Sequence, residues 1–192
     1  MKEILIINGH PNKESYNFSL AEAYKKGAKT TNANIEQINI CDLQFNPNLE
    51  FGYQKRTELE PDLLNAIEKI KKANHIVWVF PMWWYGYPAL MKGFIDRTFL
   101  PGIAYEYLEN KALPKKLFKG KTARIIITTD TPRWYDYLFM KSPALNQLKR
   151  GTLQFCGINP VKTTYISIIK NSTISFREKW LSKVYLLGTK LQ

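Results

Sequence analysis

The chain has 192 residues, a formal net charge of +12 and a hydrophobic content of 45%, which suffices for one sizeable core. We therefore expect a single domain over residues 1–192. Its two cysteines, Cys41 and Cys156, do not form a Cys-x-x-Cys pair, so neither a dithiol redox motif nor a metal site is indicated.

Apolar runs alternate with helical patterns along the whole chain. Short, β-branched runs predict strands at 3–7, 35–40, 76–80, 123–129 and 161–169. Apolar residues at helical spacing predict helices that begin near residues 15–17 and at 61, and further helices at 88–99, 144–155 and 175–187. Continuous apolar strands joined by helices favour an α/β, flavodoxin-like, doubly wound five-stranded parallel sheet of order 2-1-3-4-5.

Neither of the two most apolar stretches is suited to a membrane. Residues 4–7 form too short a run for a signal peptide, and residues 76–91 are interrupted by Pro81, Gly86 and Pro88. We therefore expect a cytoplasmic protein without membrane insertion.

The lysines responsible for the positive charge are spread over the chain rather than gathered in a basic tail. Without aromatic residues interleaved among them, this distribution indicates solvated helix faces and gives no reason to expect a nucleic-acid partner. The excess of charge still favours small anionic ligands such as nucleotides.

Three loops follow the first, third and fourth predicted strands, where an open α/β sheet binds its ligands. The first loop leads into a helix N-terminus that attracts phosphate, and Ser15 and Asn17 add donors there; simple helix capping is the alternative. His10 would either bind a phosphate oxygen or hold the loop. Neither GxGxxG nor GxxxxGK[ST] occurs, which argues against the usual dinucleotide and nucleoside triphosphate sites.

The second loop, residues 81–87, carries four aromatic side chains, whose faces and backbone donors would suit an isoalloxazine ring. Packing in the core or at a subunit contact is the alternative. The third loop, residues 128–135, offers hydroxyls and backbone donors to the polar edge of such a ring. There Arg133 would either stabilise the charge of the reduced ring or bind a local carboxylate.

The stretch Pro81–Phe99 has the pattern P-x-W-W-x-G-x-P-A-x-x-K-G-x-x-D-R-x-F. Together with Gly9-His10-Pro11, Ser15-Tyr16-Asn17, Phe45-Asn46-Pro47, Ala104-Tyr105-Glu106-Tyr107 and Thr128-Thr129, it resembles the flavodoxin-like NAD(P)H:quinone oxidoreductases. The resemblance covers almost the whole chain.

This resemblance implies a flavin, FAD or FMN, with NAD(P)H as electron donor and a quinone or similar acceptor in a ping-pong reaction. The implied cofactor-binding residues are His10, Ser15, Tyr16, Asn17, Pro81, Met82, Trp83, Trp84, Tyr85, Thr128, Thr129, Asp130 and Thr131. The candidate catalytic residues are Tyr105 and Tyr107, which the family often donates across a dimer interface, and Tyr135 at the end of the third loop. A homodimer is expected.

The chain departs from the family pattern in two respects. Asp130 and Thr131 replace two glycines that follow the paired threonines in DT-diaphorase, and the active-site histidine found after this loop in that enzyme is absent.

An alternative function within the family is that of a flavin-binding regulatory or ancillary subunit of a potassium efflux system. A one-electron flavodoxin is disfavoured by the basic charge, whereas this charge favours NADPH over NADH, with Arg133 or Lys141 near its 2′-phosphate.

Overall fold

The computed structural model describes residues 1–191, in which strands and helices alternate. In chain order the elements are β1 (Lys2–Asn8), α1 (Tyr16–Ala28), β2 (Ala33–Asn39), α2 (Pro61–Lys72), β3 (His75–Pro81), α3 (Ala89–Thr98), β4 (Tyr105–Glu106), β5 (Lys115–Lys116), β6 (Thr122–Thr129), α4 (Arg133–Leu138), α5 (Pro143–Asn146), β7 (Val161–Ser167) and α6 (Ile174–Thr189). A 3₁₀ turn at Ile40–Asp42 follows β2, and α5 continues as a π-helical segment over Gln147–Gln154.

The main sheet has five parallel strands in the order β2-β1-β3-β6-β7. This is the order 2-1-3-4-5 once the short β4–β5 hairpin is left aside, so the predicted flavodoxin-like fold is confirmed. The direction of winding reverses between β1 and β3. The loops that follow these two strands therefore flank the crevice in which such sheets bind ligands.

Each face of the sheet has its own apolar core, and β3, buried throughout, contributes to both. Trp78 and Phe80 belong to the larger cluster with residues of α2 and α3. The intervening Val77 and Val79 belong to the second cluster with residues of α1 and α6. This alternation follows from the pleat, which directs successive side chains to opposite faces.

Helices α1 and α6 cross at very short range because both carry glycine at the crossing. A Cβ atom at Gly27 would lie 2.0 Å from the Tyr185 carbonyl oxygen, and one at Gly188 would lie 2.2 Å from the Tyr24 carbonyl oxygen. The crossing fixes α1, and hence the loop that precedes it, against the last helix.

Several elements differ from the sequence-based expectations. Strand β2 ends at Asn39, with Ile40 already in the 3₁₀ turn, and β7 ends at Ser167 because Ile168 takes a left-handed conformation with φ 65°. Helix α4 and the β4–β5 hairpin are not predicted by periodicity, since both are too short to show one. None of the helices within residues 1–191 is long and apolar enough to cross a membrane.

Candidate functional site

The three loops predicted to form a site are joined to one another at the carboxyl edge of the sheet. The Met82 backbone N–H donates to the Thr128 carbonyl oxygen at 2.7 Å, and the Thr128 hydroxyl donates to Asn17 Oδ1 at 3.0 Å. The rings of His10 and Trp83 meet edge to face with centroids 5.6 Å apart. Each pair of loops is thus connected by a direct contact.

The first loop is held by its own polar groups. Buried Asn8 accepts the N–H of His10 through Oδ1 at 3.1 Å, and His10 Nδ1 accepts the N–H of Asn12 at 3.0 Å. Burial lowers the pKa of His10, so the ring is neutral at pH 7. Because Nδ1 accepts a hydrogen bond, the ring proton lies on Nε2, which makes Nε2–H a donor.

The N-terminus of α1 is left without side-chain capping. Ser15 occupies the N-cap position, but its hydroxyl makes no cap hydrogen bond and is buried without a partner. The first turn contains no acidic residue, and within residues 1–191 the backbone N–H groups of Tyr16 and Asn17 have no acceptor. The structure therefore does not show the simple helix capping that was the alternative for Ser15 and Asn17. The arrangement suits an anion.

Two buried amide groups beside this turn also lack acceptors. Asn17 is 4% exposed, and with its Oδ1 taken by Thr128 its Nδ2 has no partner. Asn8 Nδ2 is likewise unpartnered. A buried donor without an acceptor costs about 1–3 kcal/mol, so these groups fit a ligand that supplies oxygen atoms.

Tyr16 contributes differently from the sequence-based expectation. Its hydroxyl donates to the Arg177 carbonyl oxygen at 2.7 Å, and burial raises its pKa to about 12, so the phenol is committed to α6. The Arg177 guanidinium lies 5.8 Å from the Tyr16 ring centroid and places a cation beside the first loop. Arg177 is a candidate site residue that the sequence did not reveal. The only signal was that a basic residue lies near the start of the last helix.

The second loop makes a tight turn with an unusual backbone. Trp83 and Gly86 exchange two backbone hydrogen bonds of 2.9 Å, and the two residues between them, Trp84 and Tyr85, have φ values of 48° and 57°. This is the geometry of a type I′ turn, which glycine and asparagine normally occupy. Strain of this kind concentrates at functional sites.

The side chains of the second loop divide into packed and exposed groups. Met82 and Tyr87 are buried, and the Tyr87 ring lies edge to face on Phe80, so for this ring the packing alternative holds. Trp83 is 46% exposed and Trp84 is 100% exposed. The two tryptophans are therefore available to a planar ligand.

In the third loop, Thr128 and Thr129 are buried at the end of β6, and the Thr129 hydroxyl accepts the N–H of Thr131 at 3.0 Å. Asp130 faces the link that precedes α6, since its Oδ1 accepts the N–H of Lys170 at 2.6 Å. Arg133 pairs with Asp136 at 3.2 Å, which agrees with the local alternative considered for this side chain.

The candidate catalytic tyrosines lie on separate elements. Tyr105, in β4, is buried and meets exposed Tyr107 edge to face at 5.4 Å, and burial raises the pKa of Tyr105. Tyr135, in α4, stacks on Phe139 with centroids 5.2 Å apart. Within residues 1–191 no ring contact joins Tyr135 to either of the other two, and no cluster of His, Cys, Asp or Glu forms a metal site.

A family model described as flavodoxin-like fold matches residues 2–183. The chain is similar to NAD(P)H dehydrogenase (quinone) 1 of Cavia porcellus, with 26% identity over 181 residues that cover 82% of this chain and 65% of that protein. The match thus spans slightly under two thirds of that relative's length.

Two solved structures extend the comparison. Smu.1420 from Streptococcus mutans UA159 has a TM-score of 0.87 and 30% identity, with 99% of this chain and 100% of that chain covered. An FMN-dependent NADH-azoreductase from Bacillus anthracis, in complex with FMN, has a TM-score of 0.76 and 20% identity, with 100% of this chain and 99% of that chain covered. The latter likeness shows the shared fold.

Proposed function

The chain belongs to the flavodoxin-like fold family, and on this basis we propose that it is a flavin-dependent oxidoreductase that passes two electrons from NAD(P)H to a quinone or a similar small acceptor. The names of its relatives support this: one is an NAD(P)H dehydrogenase (quinone), and a neighbour of the same fold is an FMN-dependent NADH-azoreductase.

The observation that carries the proposal is the set of unpartnered donors around the N-terminus of α1. Ser15 Oγ, Asn17 Nδ2 and Asn8 Nδ2 are buried without partners, next to two backbone N–H groups that have no acceptor. A flavin phosphate and its ribityl hydroxyls supply the missing acceptors. Neutral His10 would donate through Nε2 to the same phosphate.

The other two loops would hold the ring. We assign the exposed faces of Trp83 and Trp84 and the backbone of Pro81, Met82 and Tyr85 to its plane and its reactive edge. The polar edge would face Thr128, Thr129 and Thr131, with the backbone of Asp130 beside them. Tyr16 would contribute its backbone N–H rather than its phenol, because the phenol hydroxyl already donates to the Arg177 carbonyl oxygen.

A bound flavin would supply the redox chemistry, namely two-electron transfer from NAD(P)H to the acceptor. The protein's part is to orient each substrate against the ring and to exclude water. We propose that donor and acceptor use one pocket in turn, shaped by Tyr105, Tyr107 and Tyr135. Within residues 1–191 no ring contact joins Tyr135 to the other two tyrosines, so we place the shared pocket between two copies of the chain, in keeping with the expected homodimer.

The direct test is to reconstitute the purified protein with FMN and with FAD, remove the excess, release the bound flavin with acid and identify it by chromatography. One flavin per chain is expected, with reduction by NAD(P)H bleaching its absorbance. A folded protein that retains neither flavin after reconstitution would contradict the proposal. The identity of the retained flavin distinguishes FMN from FAD.

A further inference from the structure

A cavity lies beyond the third loop, between α4 and the π-helical segment. Its volume is about 610 Å³, and its lining contains four cationic side chains: Arg133, Lys141, Lys149 and Arg150. The other lining residues are Tyr137, Leu138, Ser142 and Asn146, so that none of the described residues that line it is acidic. The cavity thus concentrates positive charge from three separate segments.

Most of this charge is not neutralised by the protein. Within residues 1–191 the side chains of Lys141, Lys149 and Arg150 form no ion pair with a carboxylate. Elsewhere on the surface, Lys69 pairs with Glu36 at 3.0 Å and Lys92 with Asp96 at 2.6 Å. Like charges collected without counter-charges repel one another, and a multiply charged anion relieves that repulsion.

The fourth cation, Arg133, is held in position. Its Nη1 donates to Asp136 and to the Ser142 hydroxyl, both at 3.2 Å, and its guanidinium lies 4.6 Å from the Tyr165 ring centroid. Within the described chain, Nη2 and Nε donate to no protein acceptor. A fixed guanidinium with free donors matches the geometry of a phosphate group.

The cavity adjoins the loop assigned to the polar edge of the flavin. Tyr165, whose ring supports Arg133, donates through its hydroxyl to the Thr131 carbonyl oxygen at 3.4 Å. A ligand anchored by its phosphate among the four cations is therefore placed next to the redox site. Tyr137 and Leu138 give the same cavity an apolar wall for the rest of the ligand.

We propose that this cavity binds a phosphate monoester, the 2′-phosphate of NADPH, through Arg133, Lys141, Lys149 and Arg150. The assignment deepens the proposed function and rests on it. A 2′-phosphate carries between one and two negative charges near pH 7 and offers three acceptor oxygens, which NADH lacks at this position. The cavity then selects NADPH over NADH.

The binding test uses nucleotide fragments, so that it is independent of catalysis. Adenosine 2′,5′-bisphosphate and 5′-AMP are titrated by calorimetry into flavin-free and flavin-loaded protein at low salt. The bisphosphate should bind about 10- to 100-fold more tightly than 5′-AMP, the range for hydrogen bonds to charged groups. The double variant Lys149→Gln/Arg150→Gln should lose most of this difference.

Two further double variants make the test specific. Lys29→Gln/Lys119→Gln removes the same charge from exposed positions that precede β2 and β6, at the opposite edge of the sheet, and should leave the preference intact. Lys149→Arg/Arg150→Lys keeps the charge and should retain most of the preference. In the flavin-loaded enzyme, the ratio of kcat/KM for NADPH to that for NADH should fall at least about tenfold only in the charge-removing cavity variant.

The outcomes separate this proposal from the proposed function. Equal binding of the two fragments to the unaltered protein, or equal kcat/KM for NADPH and NADH in an active flavoenzyme, would overturn the cavity assignment alone. A protein that retains no flavin but prefers the bisphosphate would keep the cavity and lose the redox function. Binding to phosphatidylglycerol vesicles that requires Lys149 and Arg150, without nucleotide selectivity, would reassign the cavity to lipid headgroups.

Discussion

The Thr128 hydroxyl donates to Asn17 Oδ1 at 3.0 Å, a bond that joins residues 111 positions apart and fixes which way the Asn17 amide faces. Since Oδ1 is the acceptor, Nδ2 is the buried atom left without a partner. The third loop therefore orients the donor that the first loop presents to a ligand.

The first prediction concerns Asn17→Asp. A carboxylate at this position still accepts from Thr128, but it replaces the free donor with a negatively charged acceptor beside the proposed flavin phosphate. Loss of one hydrogen bond to a charged group corresponds to at least ~1.5 kcal/mol, so flavin affinity should fall more than about tenfold. Fluorescence quenching during flavin titration measures this. Thr128→Ser, which keeps the hydroxyl, should bind flavin nearly normally; unchanged affinity in Asn17→Asp would remove Asn17 from the site.

The second prediction concerns Trp84, whose side chain is fully exposed and whose φ is 48°. Since the ring packs on nothing, Trp84→Ala should leave the free energy of unfolding of the flavin-free protein nearly unchanged. It should nevertheless weaken flavin binding by ~0.5–1.5 kcal/mol if the ring stacks on the cofactor. Chemical denaturation and flavin titration of the same samples separate the two effects. Equal flavin affinity would show that Trp84 does not stack on the ring.

The strained turn allows a further comparison at the same position. A residue other than glycine loses about 1–2 kcal/mol of stability when it adopts a left-handed conformation. Replacing it with glycine removes this cost, but the greater freedom of glycine in the unfolded chain lowers the stability by about 0.4–1 kcal/mol. Trp84→Gly should therefore be more stable than Trp84→Ala by about 0.5–1 kcal/mol. A less stable glycine variant would mean that the turn relaxes away from this geometry.

The third prediction is a homodimer. Tyr105 and Tyr87 are buried within one chain, but the side chains of Trp134, Tyr137, Leu138 and Phe139 on and just after α4 remain 55–63% exposed, and Tyr107 is 69% exposed. Apolar exposure concentrated in this way is typical of an interface. Sedimentation at micromolar concentration should give twice the chain mass, and Phe139→Glu should shift it toward the monomer. A fully active monomer would contradict the prediction.

The fourth prediction tests the crossing of α1 and α6. Gly188→Ala would place a methyl group 2.2 Å from the Tyr24 carbonyl oxygen. This contact is with a backbone atom of α1, so no side-chain rotation can relieve it. The helices must separate, and the free energy of unfolding should fall by about 2–3 kcal/mol. Gly151→Ala is the matched control, because the nearest atom to its added carbon is 3.9 Å away, and it should gain about 0.4–1 kcal/mol. Equal effects of the two would disprove the tight crossing.

The sequence predicts the sheet well because its signal is local. Residues 76–80 form a continuous apolar run, and residues 123–129 are centred on three consecutive isoleucines. Such runs bounded by helical patterns specify buried parallel strands without knowledge of distant contacts. The position of the three loops follows from the same reasoning. Parallel strands place their carboxyl ends at one edge of the sheet, so Asn17, Trp83 and Thr128 are brought together by the topology.

The parts of the site that sequence reasoning missed depend on distant or atypical contacts. Arg177 lies 161 residues from Tyr16, and only the crossing of α6 over α1 brings them together. The turn at Trp84 and Tyr85 uses a conformation that these residue types rarely adopt, so no residue preference could indicate it.

The cationic cavity is formed by α4 together with the π-helical segment. The sequence predicts a helix at 144–155 and names Arg133 and Lys141, but α4 is too short to show a periodicity, and the sequence does not indicate that Lys149 and Arg150 lie beside them.

The fifth prediction concerns stability at mildly acidic pH. His75 is buried at the start of β3, its Nδ1 is 2.7 Å from the Thr122 hydroxyl, and its Nε2 has no partner. Burial, reinforced by the positive charges of Lys2, Arg124 and Lys162, lowers the pKa of His75 to about 4 from its ordinary value near 6.5. The unfolded chain therefore binds a proton in a pH range where the folded chain does not.

The sign follows from this difference. A histidine whose folded pKa is depressed gives its full contribution above the unfolded pKa, and that contribution is lost as the pH falls from 6.5 toward 4. Between pH 7 and pH 5, where most carboxylates remain charged, protonation of His75 in the unfolded chain should lower the free energy of unfolding by about 2 kcal/mol.

His75→Asn keeps an amide near Thr122 but does not titrate, so its free energy of unfolding should change much less over this range. His10→Asn measures separately what the other histidine adds to the slope, because burial lowers its pKa in the same direction. Urea denaturation at pH 7, 6 and 5 would measure all three proteins, and an unaltered slope in His75→Asn would show that another group causes the acid sensitivity.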